Sequence, residues 1–290
     1  MDPEKWSKRS HSLTQVTEVE WRSLKCLLEQ FGAVVDLMIP APGVPDLVFT
    51  ANSAVVLDGK ALLARFRYPE RRLEEPHFAA AFDALVEHNV LKCRASLPAD
   101  IVLEGAGDCI WDPKRELCWM GFGPRSSEQA AMVVEETFGI PTLSMELVDA
   151  RFYHLDTAFS VLADGEIMYF KGALSSRSLR LLYDRVNFRD RIEVSEEDAS
   201  NMRLNGIKIG RTLILSSCSS QLQRQLADRG YSVSVTPLSS FLLGGGSAYC
   251  LTLRTDLTSN GRSLAADIGH TLDRQVDAPG PVVHAHVAAH

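Results

Sequence analysis

The chain has no run of about 18 apolar residues, the length a membrane-spanning helix needs. Its opening, Met1-Asp-Pro-Glu-Lys-Trp-Ser-Lys-Arg-Ser10, lacks the apolar stretch of a signal peptide. Neither a membrane partner nor secretion is therefore expected, and the cytoplasm is the default. Cysteine is scarce, with six in 290 residues (Cys26, Cys93, Cys109, Cys118, Cys218 and Cys250), and no C-x-x-C pair or zinc spacing among them. A disulfide framework and a structural metal are thus disfavoured, and most of the thiols are expected to be buried and free. A basic surplus is missing as well: 30 Lys and Arg stand against 37 Asp and Glu, a net charge of −7. Nucleic acid is a poor partner for such a chain, whereas a small cation suits it. No G-x-G-x-x-G or P-loop pattern is present to hold a nucleotide.

What is present is globular: 46 % hydrophobic and 23 % charged residues leave disordered and fibrous classes unlikely on composition alone. Val16, Val19, Leu24, Leu27, Leu28 and Phe31 fall near a helical stripe, so Val16–Phe31 reads as an amphipathic helix, followed by a β-branched strand over Ala33–Ile39. Short strands then precede a helix repeatedly. Ser53–Leu57 and Lys60–Ala64 precede Leu73–His88; Cys109–Trp111 and Leu117–Gly121 precede Ser126–Phe138. Ala158–Ala163 and Glu166–Phe170, split by Asp164-Gly165, precede Arg177–Tyr183; Ile207–Lys208 and Thr212–Leu215 precede Ser219–Asp228. Helix starts spaced by roughly 45 to 60 residues suggest a propeller or an array, with an ordinary open α/β sheet as the competing architecture. After Leu253 the composition turns to Ser, Asp, Gly and Ala, and a flexible tail is expected; His284, His286 and His290 there lack the acidic or cysteine partners of a metal site.

Four places are unlike structural filler: Pro45-Asp-Leu-Val-Phe-Thr-Ala-Asn52, Glu104-Gly-Ala-Gly-Asp108, Tyr153-His-Leu-Asp-Thr157 and Gly244-Gly-Gly-Ser-Ala-Tyr-Cys250, the last just before an apolar strand Leu251–Leu253. Read singly, each has a structural explanation: a glycine run is ordinarily a loop, a lone histidine a hydrogen-bonded core residue, a carboxylate a turn cap. Read jointly, a cysteine, a histidine and a carboxylate on separate loops supply a nucleophile, a general acid/base and an orienting partner.

In this order the segments Phe49-Thr-Ala-Asn52, Glu104-Gly-Ala-Gly-Asp108, His154-Leu-Asp156 and Gly-Gly-Gly-Ser-Ala-Tyr-Cys250 resemble the guanidino-group-modifying enzymes of the pentein superfamily. That group comprises arginine deiminases, dimethylarginine dimethylaminohydrolases, amidinotransferases and arginine dihydrolases. The resemblance implies an α/β fold, a five-bladed propeller of ββαβ units, in one catalytic domain over residues 1–255 with an extension over 256–290. It also implies Cys250 as nucleophile, His154 as general acid/base and Glu104 as the carboxylate holding the histidine. Arg71 and Arg125 match the pair that clamps an α-carboxylate, and Asp46, Phe49, Asn52, Asp108 and Asp156 fall at or beside substrate contacts. Asp156 is the stronger candidate for the guanidinium itself.

The residue types suit this chemistry independently. A guanidinium stays charged, so carboxylates must hold it while a thiolate reaches its central carbon, and no metal or organic cofactor is needed. Deiminase-like members usually carry an aspartate where this chain has Asn52, whereas Thr-Ala-Asn recurs in arginine dihydrolases. The expectation is therefore an arginine dihydrolase that yields ornithine, ammonia and carbon dioxide through a thiouronium. The alternatives are a deiminase or dimethylaminohydrolase giving citrulline, an amidinotransferase, and a non-catalytic ribosome-binding propeller. Exposed propeller edges leave room for a homodimer.

Overall fold

The computed structural model describes residues 3–260 and 284–288. Helix α1 (Pro3–Gln30) leads into strand β1 (Val34–Met38). Strands β2 (Ala54–Leu57) and β3 (Lys60–Leu63) form an antiparallel hairpin; helices α2 (Pro69–Arg72) and α3 (Glu75–Glu87) follow, and β4 (Cys93–Ser96) returns parallel to β3. The arrangement repeats in β5 (Cys109–Asp112), β6 (Leu117–Phe122), α4 (Ala130–Phe138) and β7 (Thr142–Glu146). It recurs in β8 (Phe159–Val161), β9 (Ile167–Tyr169), α5 (Ser176–Arg185) and β10 (Arg191–Glu193), which α6 (Glu196–Ser200) follows. A last copy comprises β11 (Ile207–Ile209), β12 (Thr212–Leu215), α7 (Ser220–Ala227) and β13 (Ser232–Val235), with α8 (Ser239–Leu243) behind it. Finally β14 (His284–Ala288) pairs parallel to β1, so the two ends of the chain share a two-stranded sheet.

The local causes are readable. Serine hydroxyls cap α5 and α7: Ser175 Oγ accepts from the Ser178 N–H at 3.3 Å and Ser219 Oγ from Leu222 N–H at 3.1 Å. Strands β2, β8 and β9 are buried along their whole length, which explains the unbroken apolar sequences of β2 and β9; β8 carries one buried serine, Ser160. Between the second and third sheets Trp119 packs on Phe159 with ring centroids 5.4 Å apart, and its indole N–H donates to Asp112 at 3.0 Å.

The structure departs from the sequence reading in several elements. On α1, Val16 and Val19 are exposed while Leu24, Leu28 and Glu20 are buried. The carboxylate of Glu20 points inward because it accepts the backbone and hydroxyl hydrogens of Ser239 and Ser240 at the start of α8. The expected helix Leu73–His88 is present as α3, and the short helix α2 before it, separated at Leu73–Glu74 where Glu74 turns in toward Arg71, was not anticipated. The expected helix over Ser126–Phe138 begins only at Ala130, because the hydroxyls of Ser126 and Ser127 are used across the loop on Glu104 and Val102. Leu251–Leu253 is buried but forms no strand. Cys109, Cys118 and Cys250 are buried, Cys218 is half-buried, and Cys26 and Cys93 are exposed, so burial of the free thiols holds for only part of the set. Of the expected tail, residues 284–288 form β14, and the rest of 261–290, including His290, lies outside the described residues. No helix among the described residues is long and apolar enough to cross a membrane.

Candidate active site

Several candidate residues share one structural position, the turn by which the chain enters a hairpin; Arg71 lies on α2, Arg125 after β6, and Cys250 on a turn that no hairpin follows. Thr50–Ser53, with Asn52, precedes β2; Glu104–Asp108 precedes β5; His154–Thr157 precedes β8. Asn205 occupies the same place before β11, and the glycine-rich turn delivers Cys250. The turns are stitched together: Ala51 N–H donates to the Cys250 carbonyl at 3.1 Å, and Cys250 N–H donates to Asn205 Oδ1 at 3.2 Å.

Glycine is required where these turns touch. A Cβ on Gly107 would lie 2.3 Å from Asn52 Nδ2, and one on Gly246 would lie 2.1 Å from Cε1 of Phe49. The Phe49 ring thus packs where the Cys250 loop has no side chain, and Asn52 lies flat on the Glu104–Asp108 turn.

A chain of contacts runs through the site. The Cys250 thiol faces Asp156 Oδ2 at 3.5 Å, while Asp156 Oδ1, equally buried, has no hydrogen-bond partner. Two residues earlier, His154 presents Nε2 to Glu104 Oε2 at 2.7 Å and Nδ1 to the Asn52 amide nitrogen at 3.4 Å. Glu104 Oε2 also accepts from Arg125 Nη1 at 3.0 Å, and its Oε1 from the Arg67 N–H at 3.1 Å. Arg125 lies between two tyrosine rings, 4.8 Å from the Tyr68 centroid and 4.9 Å from that of Tyr153. The Tyr153 hydroxyl donates to the Gly245 carbonyl, tying this cluster to the cysteine loop.

Arg71 is held differently. Its Nε and Nη2 form a two-point pair with Glu74 at 3.0 Å and 2.8 Å, its Nη1 donates to Asn52 Oδ1 at 3.0 Å, and Nη2 also reaches the Asp46 carbonyl at 3.3 Å. Asp46 is half-buried beside it. Asp108 is committed to the scaffold: Oδ1 accepts from Leu155 N–H at 2.9 Å and Oδ2 from Ser126 Oγ at 2.6 Å. It therefore faces the back of the histidine, 3.9 Å from Nε2.

A profile of the eukaryotic N,N dimethylarginine dimethylhydrolase family matches residues 4–256. The chain belongs to this family of guanidino-modifying penteins. It is 40 % identical over 81 % of its length to the bifunctional arginine dihydrolase/ornithine cyclodeaminase AgrE of Nostoc sp., and 39 % over 84 % to ArgZ of Synechocystis sp.. It spans about a third of those two relatives, 33 % and 34 % of their lengths. With the dimethylarginine dimethylaminohydrolase of Mycobacterium tuberculosis it shares 35 % identity, covering 82 % of this chain and 76 % of that one. Among solved structures, the substrate-bound N-terminal domain of ArgZ superposes with a TM-score of 0.80 at 37 % identity, covering 84 % of this chain and 88 % of that one. The mixed α/β fold of small sheets is the fold of these enzymes.

The electrostatics of this pentein divide its buried acids into two kinds. For Glu104, burial favours the neutral acid, but the hydrogen bond and charge of His154, with Arg125, outweigh it and hold the carboxyl at about 2. Burial dominates at Asp156, pushed up to about 7, and at Asp108, pushed up to about 6. For His154, burial opposes the charged ring, yet Asp108 and Glu104 together raise its pKa above the ordinary value. The Cys250 thiol is pushed up by burial first and by Asp156 second. It is a thiol until something cationic arrives beside it.

Three contributors escaped the sequence reading. Glu74 and Asn205 are buried polar residues whose partners lie far along the chain or across a helix break, and Tyr68 is a half-exposed ring whose role exists only because Arg125 stacks on it. One signal was available: Asn205-Gly206 precedes a hairpin, as Asn52 does.

Proposed function

We propose that this pentein hydrolyses the guanidinium of arginine twice, consuming two waters and giving ornithine, two molecules of ammonia and carbon dioxide. The observation that carries the reading is Asp156: one oxygen faces the Cys250 thiol and the other is a buried acceptor with no partner. A buried, unsatisfied carboxylate oxygen is costly, and a guanidinium is the group that pairs with it while placing its central carbon over the sulfur.

Binding of the cation stabilises the Asp156 carboxylate and the neighbouring thiolate together. The sulfur attacks the central carbon, protonated His154 gives a proton to the departing amine, and a covalent thiouronium remains. The hydrogen-bond network sets the tautomer for the next half. Glu104 accepts from Nε2–H, and the Asn52 amide group is turned toward Nδ1, so neutral His154 offers the Nδ1 lone pair as base for water. The resulting ureido product is neutral, and Asn52, which both donates and accepts, is suited to keep it in place for a second attack. An asparagine-to-serine variant of the ArgZ N-terminal domain is covalently bound to a reaction intermediate, which supports a covalent route of the kind proposed here. Arg125, with N–H groups that have no partner among the described residues, takes the α-carboxylate; Arg71, further back, supports it.

The fold reading that goes with this is a five-bladed propeller in one catalytic domain over residues 1–255, with 256–290 as an extension in a cytoplasmic protein that has room to form a homodimer. Four sheets of one topology, and a fifth shared by the chain ends, support it. Product analysis tests the function. Full-length protein with arginine should accumulate ornithine and ammonia in a ratio near one to two, and Cys250→Ser should give neither. Citrulline without ornithine would overturn two-cycle hydrolysis in favour of a deiminase. The family match and the mycobacterial relative favour dimethylaminohydrolysis as the second reading; dimethylamine release from methylated arginines, exceeding turnover of arginine itself, would select it.

A further inference from the structure

We infer that Glu74 is a positioning residue that sets the proton-accepting face of His154, acting through Arg71 and Asn52. The inference rests on the hydrolytic reading above and deepens it. Glu74 is 1 % exposed and Arg71 7 % exposed. Both oxygens of Glu74 are engaged by Arg71, at 2.8 Å and 3.0 Å, a planar fork that leaves the guanidinium one orientation. In that orientation Nη1 donates to Asn52 Oδ1 at 3.0 Å. An arginine has no acceptor, so the amide of Asn52 can meet it only with its oxygen. The nitrogen is thereby turned to the other side, where it donates to the Glu104 carbonyl at 3.2 Å and lies 3.4 Å from His154 Nδ1.

Each link restricts the next by donor and acceptor type alone. With an N–H facing it, Nδ1 is favoured as a lone pair, while Glu104 keeps the proton on Nε2. If Arg71 were released, Asn52 could turn by half a rotation and present its oxygen to Nδ1. That arrangement favours the doubly protonated ring, which can no longer take a proton from water. Glu74 touches neither thiol nor histidine in the structure; its hydrogen-bonded path to the base runs through Arg71 and Asn52, beside a through-space charge interaction with Glu104 that Asn52→Ala leaves intact.

The test uses the full chain and two substitutions, Glu74→Gln and Asn52→Ala, alone and together. Loss of the fork in Glu74→Gln should lower kcat for arginine about tenfold and move the acidic limb of the kcat profile to higher pH, with KM changed less than about threefold. In the Asn52→Ala background the same change should cost less than about twofold in kcat, because the path is already cut. Glu74→Asp, which keeps the charge, should recover part of the loss. An equal loss in both backgrounds would make Glu74 a scaffold residue, and an effect confined to KM would assign it to the carboxylate clamp; either outcome overturns the inference. A substrate-free reading separates this from the proposed activity. In ¹⁵N-histidine spectra near pH 7.5, Glu74→Gln should increase the protonated fraction at His154 Nδ1, and a native-like Nδ1 signal refutes the inference whether or not arginine proves to be the substrate. If Glu74→Gln is insoluble, Glu74→Ala, which also removes the fork, is read the same way.

Discussion

Replacing Glu104 by Gln tests the electrostatics of the site and the stability of the fold in one protein. Glu104 is fully buried, and its carboxylate is shared by His154 at 2.7 Å and Arg125 at 3.0 Å. Burial would raise its pKa, yet those partners hold it at about 2 against an ordinary 4.5. That difference corresponds to roughly 3 kcal/mol of folded-state preference for the charged form. Because the folded value lies below the unfolded one, this contribution is complete above about pH 4.5 and is lost as the pH falls toward 2. His154 has a raised pKa, so both it and its unfolded counterpart stay protonated between pH 5.5 and pH 3. Asp108 and Asp156 add their own pH dependence in that window, so the glutamate is read by urea unfolding from the difference between variant and native protein at each pH. At pH 5.5 the Gln variant should be less stable than the native protein by about 3 kcal/mol, and at pH 3 the gap should shrink to about half of that. Turnover of arginine at pH 7 should fall by about 100-fold or more, since the histidine loses the partner that fixes its tautomer. A stability gap that is independent of pH, or a variant retaining over about a tenth of native turnover, refutes the assignment.

Other perturbations reach other parts of the structure. Asp156 sits at about 7 because of burial, and a bound guanidinium lowers it, so arginine binding to Cys250→Ser should release about half a proton at pH 7. Calorimetry in buffers of different ionisation heat reads this, and a buffer-independent heat rejects it. Gly107→Ala places a Cβ 2.3 Å from Asn52 Nδ2; a loss of about 1–3 kcal/mol in urea unfolding should accompany at least a tenfold fall in kcat, and an unchanged kcat would show that Asn52 tolerates displacement. Ser219→Ala removes the cap of α7, remote from the site, and should cost about 1 kcal/mol in unfolding while leaving kcat/KM within about twofold of native.

The residues of the candidate site were more legible in the sequence than the contacts that hold them. Cys250, His154 and Glu104 stand in short motifs whose glycines are themselves signals, because small residues mark a close approach before one knows what approaches. Hairpins such as β8–β9 were readable from apolar runs separated by Asp164-Gly165. By contrast, Glu20 and Glu74 are acidic residues on or beside helices, and sequence alone assigns such residues to solvent. Glu20 turns inward because Ser239 and Ser240 arrive from far along the chain, which no local pattern encodes; Glu74 turns inward onto Arg71 three residues earlier, and what the local pattern does not show is that this pair is buried. The same cause explains why Val16 and Val19 lie outside the core: the helix stripe is rotated to place Glu20 against α8. Strands β4, β7, β10 and β13 were not placed individually because exposed and polar positions interrupt their apolar pattern, whereas the equally short edge strands β2 and β8 are buried throughout.

The placement of Asn52, Glu104, His154, Asp156 and Asn205 at hairpin entrances, with Cys250 on a separate glycine-rich turn, has a mechanical consequence. No sheet contains the site: the thiol, its carboxylate neighbour, the histidine, its glutamate and the asparagine come from turns attached to different sheets, joined by bonds such as Ala51 N–H to Cys250 O and Cys250 N–H to Asn205 Oδ1. Two buried acids in this cluster are held near neutrality by burial, at about 6 and about 7, and each keeps that value only while the neighbouring turn excludes water. Loosening any one turn would therefore hydrate Asp108 or Asp156, lower its pKa and weaken its discrimination for a cation. The site thus senses the packing of its surroundings through its carboxylates. On the proposed reading the turns must be rigid for a guanidinium to be preferred over water, and at Gly107 and Gly246 they meet too closely to admit a Cβ.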